Sequence, residues 1–219
     1  MASKKATSRG RFIVVEGLDG AGTTTQTAAL ARAMRAAGHK VLTTNEPSTG
    51  PIGTLIRQGL SKRLRLASGE PMTAETLALL FAADRVDHLA NEVVPALEAG
   101  THVISDRYLL SSLAYQGVEV GLPWVSSINH HALTPDLTLF LSIDVKAATR
   151  RRVVRGGRPD LYENNAMQKK TAQQYARAIA LRRDAGEHII NIDGSAPIEE
   201  VTARLISELK AVGLKLGAR

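Results

Sequence analysis

The sequence has no cysteine among its 219 residues, which excludes a disulfide scaffold, a thiolate metal centre and thiol chemistry. Aromatic residues make up 4% of the chain, with a single tryptophan, so no series of stacking rings is available for a single-stranded nucleic acid. No apolar run approaches the length of a membrane span, and the N-terminal MASKKATSRGR lacks the apolar stretch of a secretory signal. These absences predict a soluble, cytoplasmic protein that binds neither membrane nor nucleic acid.

Apolar residues account for 44% of the chain, enough for one domain with a substantial core. The formal net charge is +7, from 28 basic and 21 acidic residues, and it suits an anionic partner such as a polyphosphate nucleotide. Two concentrations carry much of it: the tail with Lys4, Lys5, Arg9 and Arg11, and the cluster Arg150, Arg151, Arg152, Arg155 and Arg158.

Apolar stretches alternate with helical patterns along the chain, the sequence form of a parallel sheet covered by helices on both faces. Strands are predicted at 12–16, 40–44, 101–106, 137–143 and 187–192. Helices are predicted at 24–37, 52–60, 74–99, 123–132, 146–155, 163–185 and 197–212. Gly38, Gly100 and Gly186 stand just past three of these helices, where a C-capping glycine belongs. The fold class is therefore α/β, a five-stranded parallel sheet in one domain over 12–213, between a basic tail (1–11) and a short C-terminal tail (214–219). Right-handed crossovers place Gly17, Glu46 and Asp106 along the edge where open α/β sheets bind ligands.

Residues 12–26 read FIVVEGLDGAGTTTQ. A β-branched run breaks at Glu16 into a glycine loop, which runs into a helix: the layout of a phosphate-binding loop. Gly17, Leu18, Asp19, Gly20, Ala21, Gly22, Thr23, Thr24 and Thr25 are the candidate triphosphate ligands. Glycines let backbone N–H groups turn inward, and the helix N-terminus adds partial positive charge. Gly17 to Thr24 follow the pattern G-x-x-x-x-G-K-[ST] except that Thr23 stands where lysine is expected. A neutral hydroxyl cannot place an ammonium between the β- and γ-phosphates, so either another cation does so or transfer is weakened.

Three further stretches follow in order: Glu46-Pro47 through Arg57, LFAADR from Leu80 to Arg85, and DRYLLSSLAYQG from Asp106 to Gly117. With the glycine loop they resemble the thymidylate kinase family, from Phe12 to about Val201. The resemblance implies a nucleoside-monophosphate kinase that moves the γ-phosphoryl group of ATP to dTMP, with Mg²⁺. It implies that Phe81 stacks on thymine, that Arg85 and Arg107 grip the acceptor phosphate, and that Gln116 with Ser111 or Ser112 reads the base edge. Glu46, Pro47 and Arg57 join the acceptor site, and Tyr115 crowds the sugar 2′ position. Asp19 resembles the family's aspartate that contacts the sugar 3′-hydroxyl. Asp106 closes a β-branched run and so projects at the strand's carboxyl end near the glycine loop, which makes it the candidate to hold Mg²⁺ through water, with the Thr24 hydroxyl as the direct ligand.

Residues 150–163 resemble the LID that closes over ATP in this superfamily. Arg155 and Arg158 are the candidates for offsetting transition-state charge, and Arg152 or a neighbour for stacking on adenine. Leu161 stands where the family usually has arginine. A homodimer is implied by the resemblance alone. His130 and His131 read as structural. Two other functions stay open at this stage: a kinase for another pyrimidine monophosphate, and a nucleotide-binding module that has lost transfer because of Thr23.

Overall fold

A computed structural model describes residues 9–154 and 165–216. Five parallel strands form one sheet: β1 (Phe12–Gly17), β2 (Val41–Asn45), β3 (His102–Asp106), β4 (Leu137–Ser142) and β5 (Ile189–Asp193). Their spatial order is β2-β3-β1-β4-β5. The β1 strand FIVVEG is buried along its whole length. Phe12 and Val14 join the core on one sheet face, with Val103, Leu113 and Tyr175, while Ile13 and Val15 join the other, with Leu30, Met34 and Leu205. Both faces of the sheet are thus covered, as a parallel sheet requires.

The helices are α1 (Thr23–Ala36), α2 (Pro51–Leu60), α3 (Ala74–His88), α4 (Val94–Glu98), α5 (Leu109–Val120), α6 (Leu122–Ile128), α7 (Val145–Val154), α8 (Asn165–Asp184) and α9 (Ile198–Ala211). The five expected strands and seven expected helices all occur, with ends displaced by a few residues, except that the expected ends at 155 and 163 lie outside the described residues. Gly38, Gly100 and Gly186 have φ between 76° and 88°, the left-handed turn in which a C-capping glycine serves.

Two features depart from the expected pattern. The long run over 74–99 is not uniform: α3 passes through a π turn at Leu89–Val93 before α4. Pro95 lies just beyond, and a proline ring would clash with the carbonyl four residues back in a regular α-helix. Helix α5 was not anticipated at all. It is buried on nearly every side, from Leu109 to Gly117, so it carries no amphipathic period to read.

Register sets the site. Asp106 pairs with Asn45 on one side and with Val15 on the other, and Glu46 N–H donates to the Asp106 carbonyl at 3.2 Å. The loops after β1, β2 and β3 therefore leave the sheet together at its carboxyl edge.

Candidate active site

The loop after β1 reaches α1 through Gly20 and Gly22, with φ of 93° and 96°, conformations that side-chain-bearing residues rarely hold. Helix α1 then begins with no side-chain cap and no acidic residue in its first turn. Its N-terminal N–H groups and the positive end of its dipole are left for an anion. Thr23 is buried, and Thr24 is exposed at the helix start.

Thr24 Oγ1 donates to Asp106 Oδ2 at 2.5 Å. The other carboxylate oxygen, Oδ1, is buried without a hydrogen-bond partner among the described residues. An unsatisfied carboxylate oxygen beside a hydroxyl is a hard, all-oxygen donor set of the kind that holds Mg²⁺ together with water and phosphate oxygens. Among the described residues no group of three or more His, Asp or Glu could cage an ion by itself. Mg²⁺ in kinase sites needs no such cage, so these residues fit it.

A cleft of about 720 Å³ opens beside this pair. Asp19, Thr24, Glu46, Pro47, Phe81, Arg85, Asp106, Arg107, Ser111, Ser112, Tyr115 and Gln116 all line it, so most of the predicted acceptor residues share one volume. Arg57 is not among them. Its Nη1 donates to the carbonyls of Pro47 and Ser48, at 3.1 and 2.5 Å, and so braces the loop after β2. Asp84 braces the same loop, accepting from Ser48 N–H and Oγ at 2.7 and 2.6 Å.

Arg85 and Arg107, expected to act as a pair, keep different company. Arg85 is 1% exposed; its Nη2 donates to Glu46 Oε2 at 2.6 Å and to Ser112 Oγ at 3.0 Å, and its Nη1 donates to Asn129 Oδ1. It also lies over the Tyr108 ring, 5.0 Å from the centroid. Glu46 already offsets its charge, which leaves Arg85 at the Ser112 end of the cleft. His88, 3.3 Å from Glu46 Oε1, completes this buried group.

Arg107 faces the glycine loop. Its Nη1 donates to the Gly17 carbonyl at 2.9 Å and to Ser111 Oγ at 3.0 Å, and its Nη2 to Asp19 Oδ1 at 2.6 Å. Burial pulls the Arg107 pKa down, but Tyr115, Asp19, Tyr175 and Glu16 outweigh it and keep the guanidinium charged. Its backbone sits at φ 71°, a left-handed value that a long side chain adopts only where its surroundings impose it. Tyr115 packs its ring under Arg107 and accepts from Asp19 N–H at 3.1 Å.

Sequence reasoning overlooked Glu16. It is fully buried and accepts from Tyr108 N–H, Ser111 N–H, Ser111 Oγ and the Tyr175 hydroxyl. Burial raises its pKa, against the Arg107 charge and the hydrogen bonds from Ser111 and Tyr108. The available signal was a charged residue closing an otherwise apolar strand. Ser111 Oγ, engaged by Arg107, Glu16 and Tyr175, belongs to this group.

On the far side of the glycine loop a second pocket, about 350 Å³, is lined by Gly20, Gly22, Thr25, Arg151, Ser195 and Pro197 among others. Arg151 donates to the carbonyls of Gly194 and Ser195 at 2.8 and 3.0 Å. Arg155 and Arg158 lie outside the described residues, as does the side chain of Arg152.

A glycine loop on a five-stranded parallel sheet, with an acceptor cleft on one side and a second pocket on the other, defines a P-loop nucleoside-monophosphate kinase. The sequence pattern of one such family, described as thymidylate kinase, matches residues 15–205. The chain is 38% identical over 203 residues to a probable thymidylate kinase of Pyrococcus abyssi, covering 92% of this chain and 97% of that one. It is 36% identical over 203 residues to a putative thymidylate kinase of Treponema pallidum, covering 91% and 94%. To a thymidylate kinase of Thermomicrobium roseum it is 44% identical over 146 residues, covering 64% and 67%. The chain belongs to the thymidylate kinase family.

Proposed function

We infer that the 720 Å³ cleft takes dTMP while the glycine loop holds ATP, and that the chain transfers the γ-phosphoryl group from one to the other. The observation that carries this is the shared volume itself: candidate base, sugar and phosphate contacts line a single cleft that reaches Thr24 of the glycine loop.

In this reading Phe81 stacks on thymine, and Ser112 and Gln116 read its edge, with Arg85 held next to Ser112. Glu46 and Pro47 wall the acceptor site. Tyr115 fills the space a ribose 2′-hydroxyl would need. Arg107 takes the acceptor phosphate, sharing its Nη2 with Asp19, whose carboxylate uses a remaining lone pair to accept from the sugar 3′-hydroxyl. The amides from Gly17 to Thr25 cradle the β- and γ-phosphates, and Arg151 or Arg152 packs on the adenine. An acceptor phosphate oxygen bonds to the γ-phosphorus as the bond to the β-phosphate oxygen breaks, and ADP leaves. Thr24 and Asp106 would hold Mg²⁺, which offsets phosphate charge when bound. Arg155 and Arg158 are assigned the remaining transition-state charge.

A homodimer is supported by an apolar stripe on α3, where Leu79 and Val86 are each 50% exposed and lie two turns apart with the exposed Ala83 between them. Among the described residues no helix is long and apolar enough to cross a membrane, which accords with a cytoplasmic enzyme. The test is a coupled ADP-release assay with Mg·ATP across the nucleoside monophosphates. Turnover is expected to be fastest with dTMP; turnover of CMP or UMP well above dTMP overturns the acceptor assignment.

A further inference from the structure

Helix α8 carries a buried polar stripe. Gln168, Thr171, Gln174 and Tyr175 are between 0% and 7% exposed, while Lys169, Lys170, Gln173 and Arg177 are exposed. Burying polar groups along one helix face is unfavourable unless they meet partners, and Gln168, Gln174 and Tyr175 do so, while the Thr171 hydroxyl has none among the described residues. Two of its residues, Gln168 and Tyr175, stand two turns apart on the same face and reach the two ends of one ion pair.

The ion pair is Arg107 with Asp19, 2.6 Å apart. Tyr175 is 1% exposed, and its hydroxyl lies 3.1 Å from Glu16 Oε2, 3.1 Å from the Gly17 carbonyl, 2.9 Å from Ser111 Oγ and 3.3 Å from Arg107 Nη1. Its single proton is drawn to Glu16 or Gly17, which leaves its lone pairs facing the guanidinium. The ring is fixed from two sides, edge-on to Tyr115 at 6.0 Å and tilted against Phe140 at 5.0 Å. Gln168 Nε2 donates to Asp19 Oδ2 at 3.2 Å. The left-handed backbone of Arg107 needs such outside support, because the residue's own preferences oppose it.

We propose that Tyr175 and Gln168 are positioning residues for phosphoryl transfer: α8 holds Arg107 and Asp19 at the angle from which Arg107 receives the acceptor phosphate. Neither residue touches the reacting atoms in this scheme. The proposal rests on the reading that Arg107 binds the dTMP phosphate.

The test measures dTMP and ATP dissociation constants by calorimetry on the full chain, with a melting curve for each variant. Tyr175→Phe keeps the ring and removes the hydroxyl, and is expected to weaken dTMP about tenfold while leaving ATP within about twofold and Tm within about 5 °C. Gln168→Leu is expected to weaken dTMP by a smaller factor in the same selective way. Adding Tyr175→Phe to Arg107→Ala is expected to cost nothing beyond Arg107→Ala alone, because the two act through one group. Wild-type dTMP affinity in Tyr175→Phe overturns the proposal, as does an equal loss for both nucleotides with a falling Tm. Should Tyr175→Phe fail to fold, the same two outcomes in Gln168→Leu decide. If Arg107→Ala itself leaves dTMP affinity unchanged, the assignment of Arg107 is what fails, and that result stands apart from either arm.

Discussion

Thr24 and Asp106 meet at 2.5 Å, hydroxyl to carboxylate, and the second Asp106 oxygen is buried with no donor among the described residues. A helix start and a strand end, 82 positions apart in sequence, thereby leave one unsatisfied oxygen beside the glycine loop. Such an oxygen is costly in a protein that does nothing with it and useful in one that binds a hydrated cation.

Asp106→Asn keeps the shape and removes the charge. Turnover is expected to fall by on the order of a hundredfold or more, and the Mg²⁺ concentration for half-maximal rate to rise. A titration of initial rate against Mg²⁺ checks both. An unchanged Mg²⁺ dependence would remove Asp106 from the metal site.

Thr23→Lys restores the ammonium that this loop lacks. The neighbouring glycines already hold the left-handed turns of a phosphate loop, and α1 starts uncapped, so the new side chain meets a prepared cradle. Turnover in the ADP-release assay is expected to rise about tenfold. An unchanged rate would show that a different cation, such as Lys4, Lys5 or an arginine of 150–163, already fills the place.

His88 makes stability depend on pH. Burial lowers its pKa, but the hydrogen bond and charge of Glu46, with the charges of Glu92 and Asp84, outweigh this and raise it above 6.5. A group whose folded pKa is raised contributes stability fully present below its unfolded value, and loses it as pH rises through the folded value. Tm is therefore expected to fall as the buffer is taken upward from about pH 6.5, by roughly 2–4 °C per kcal/mol lost, and His88→Gln to flatten that slope. Thermal melts between pH 6 and pH 9 check this; a slope that survives His88→Gln assigns the effect elsewhere.

Much of the fold was legible because its signals are local. The β-branched run before Glu16, the glycine loop and the glycines past three helices each act within a few residues. Strand order was not legible, since nothing local in β2 says that it pairs with β3 on the sheet edge. Helix α5 escaped because a helix buried on nearly all sides has no polar face to give it a period. In the site, the residues carried by DRYLLSSLAYQG and LFAADR were named in advance, yet their groupings were not. Arg85 and Arg107 are the same residue type on the same cleft, but Arg85 is paired with a buried carboxylate 39 positions away and Arg107 with Asp19 of the glycine loop. The stripe on α8 was hidden for the opposite reason. NAMQKKTAQQYARAIALRRD reads as a solvated helix, because buried glutamine and threonine look the same in sequence as those facing water.

The central claim is that the amides of this loop and the helix end behind it hold ATP although the usual lysine is threonine, with dTMP in the adjoining cleft. Calorimetric titration of the protein with each nucleotide in the presence of Mg²⁺ tests it most directly. One site each for ATP and dTMP is predicted, with dTMP affinity lost in Arg107→Ala; a protein that takes up neither nucleotide would contradict it.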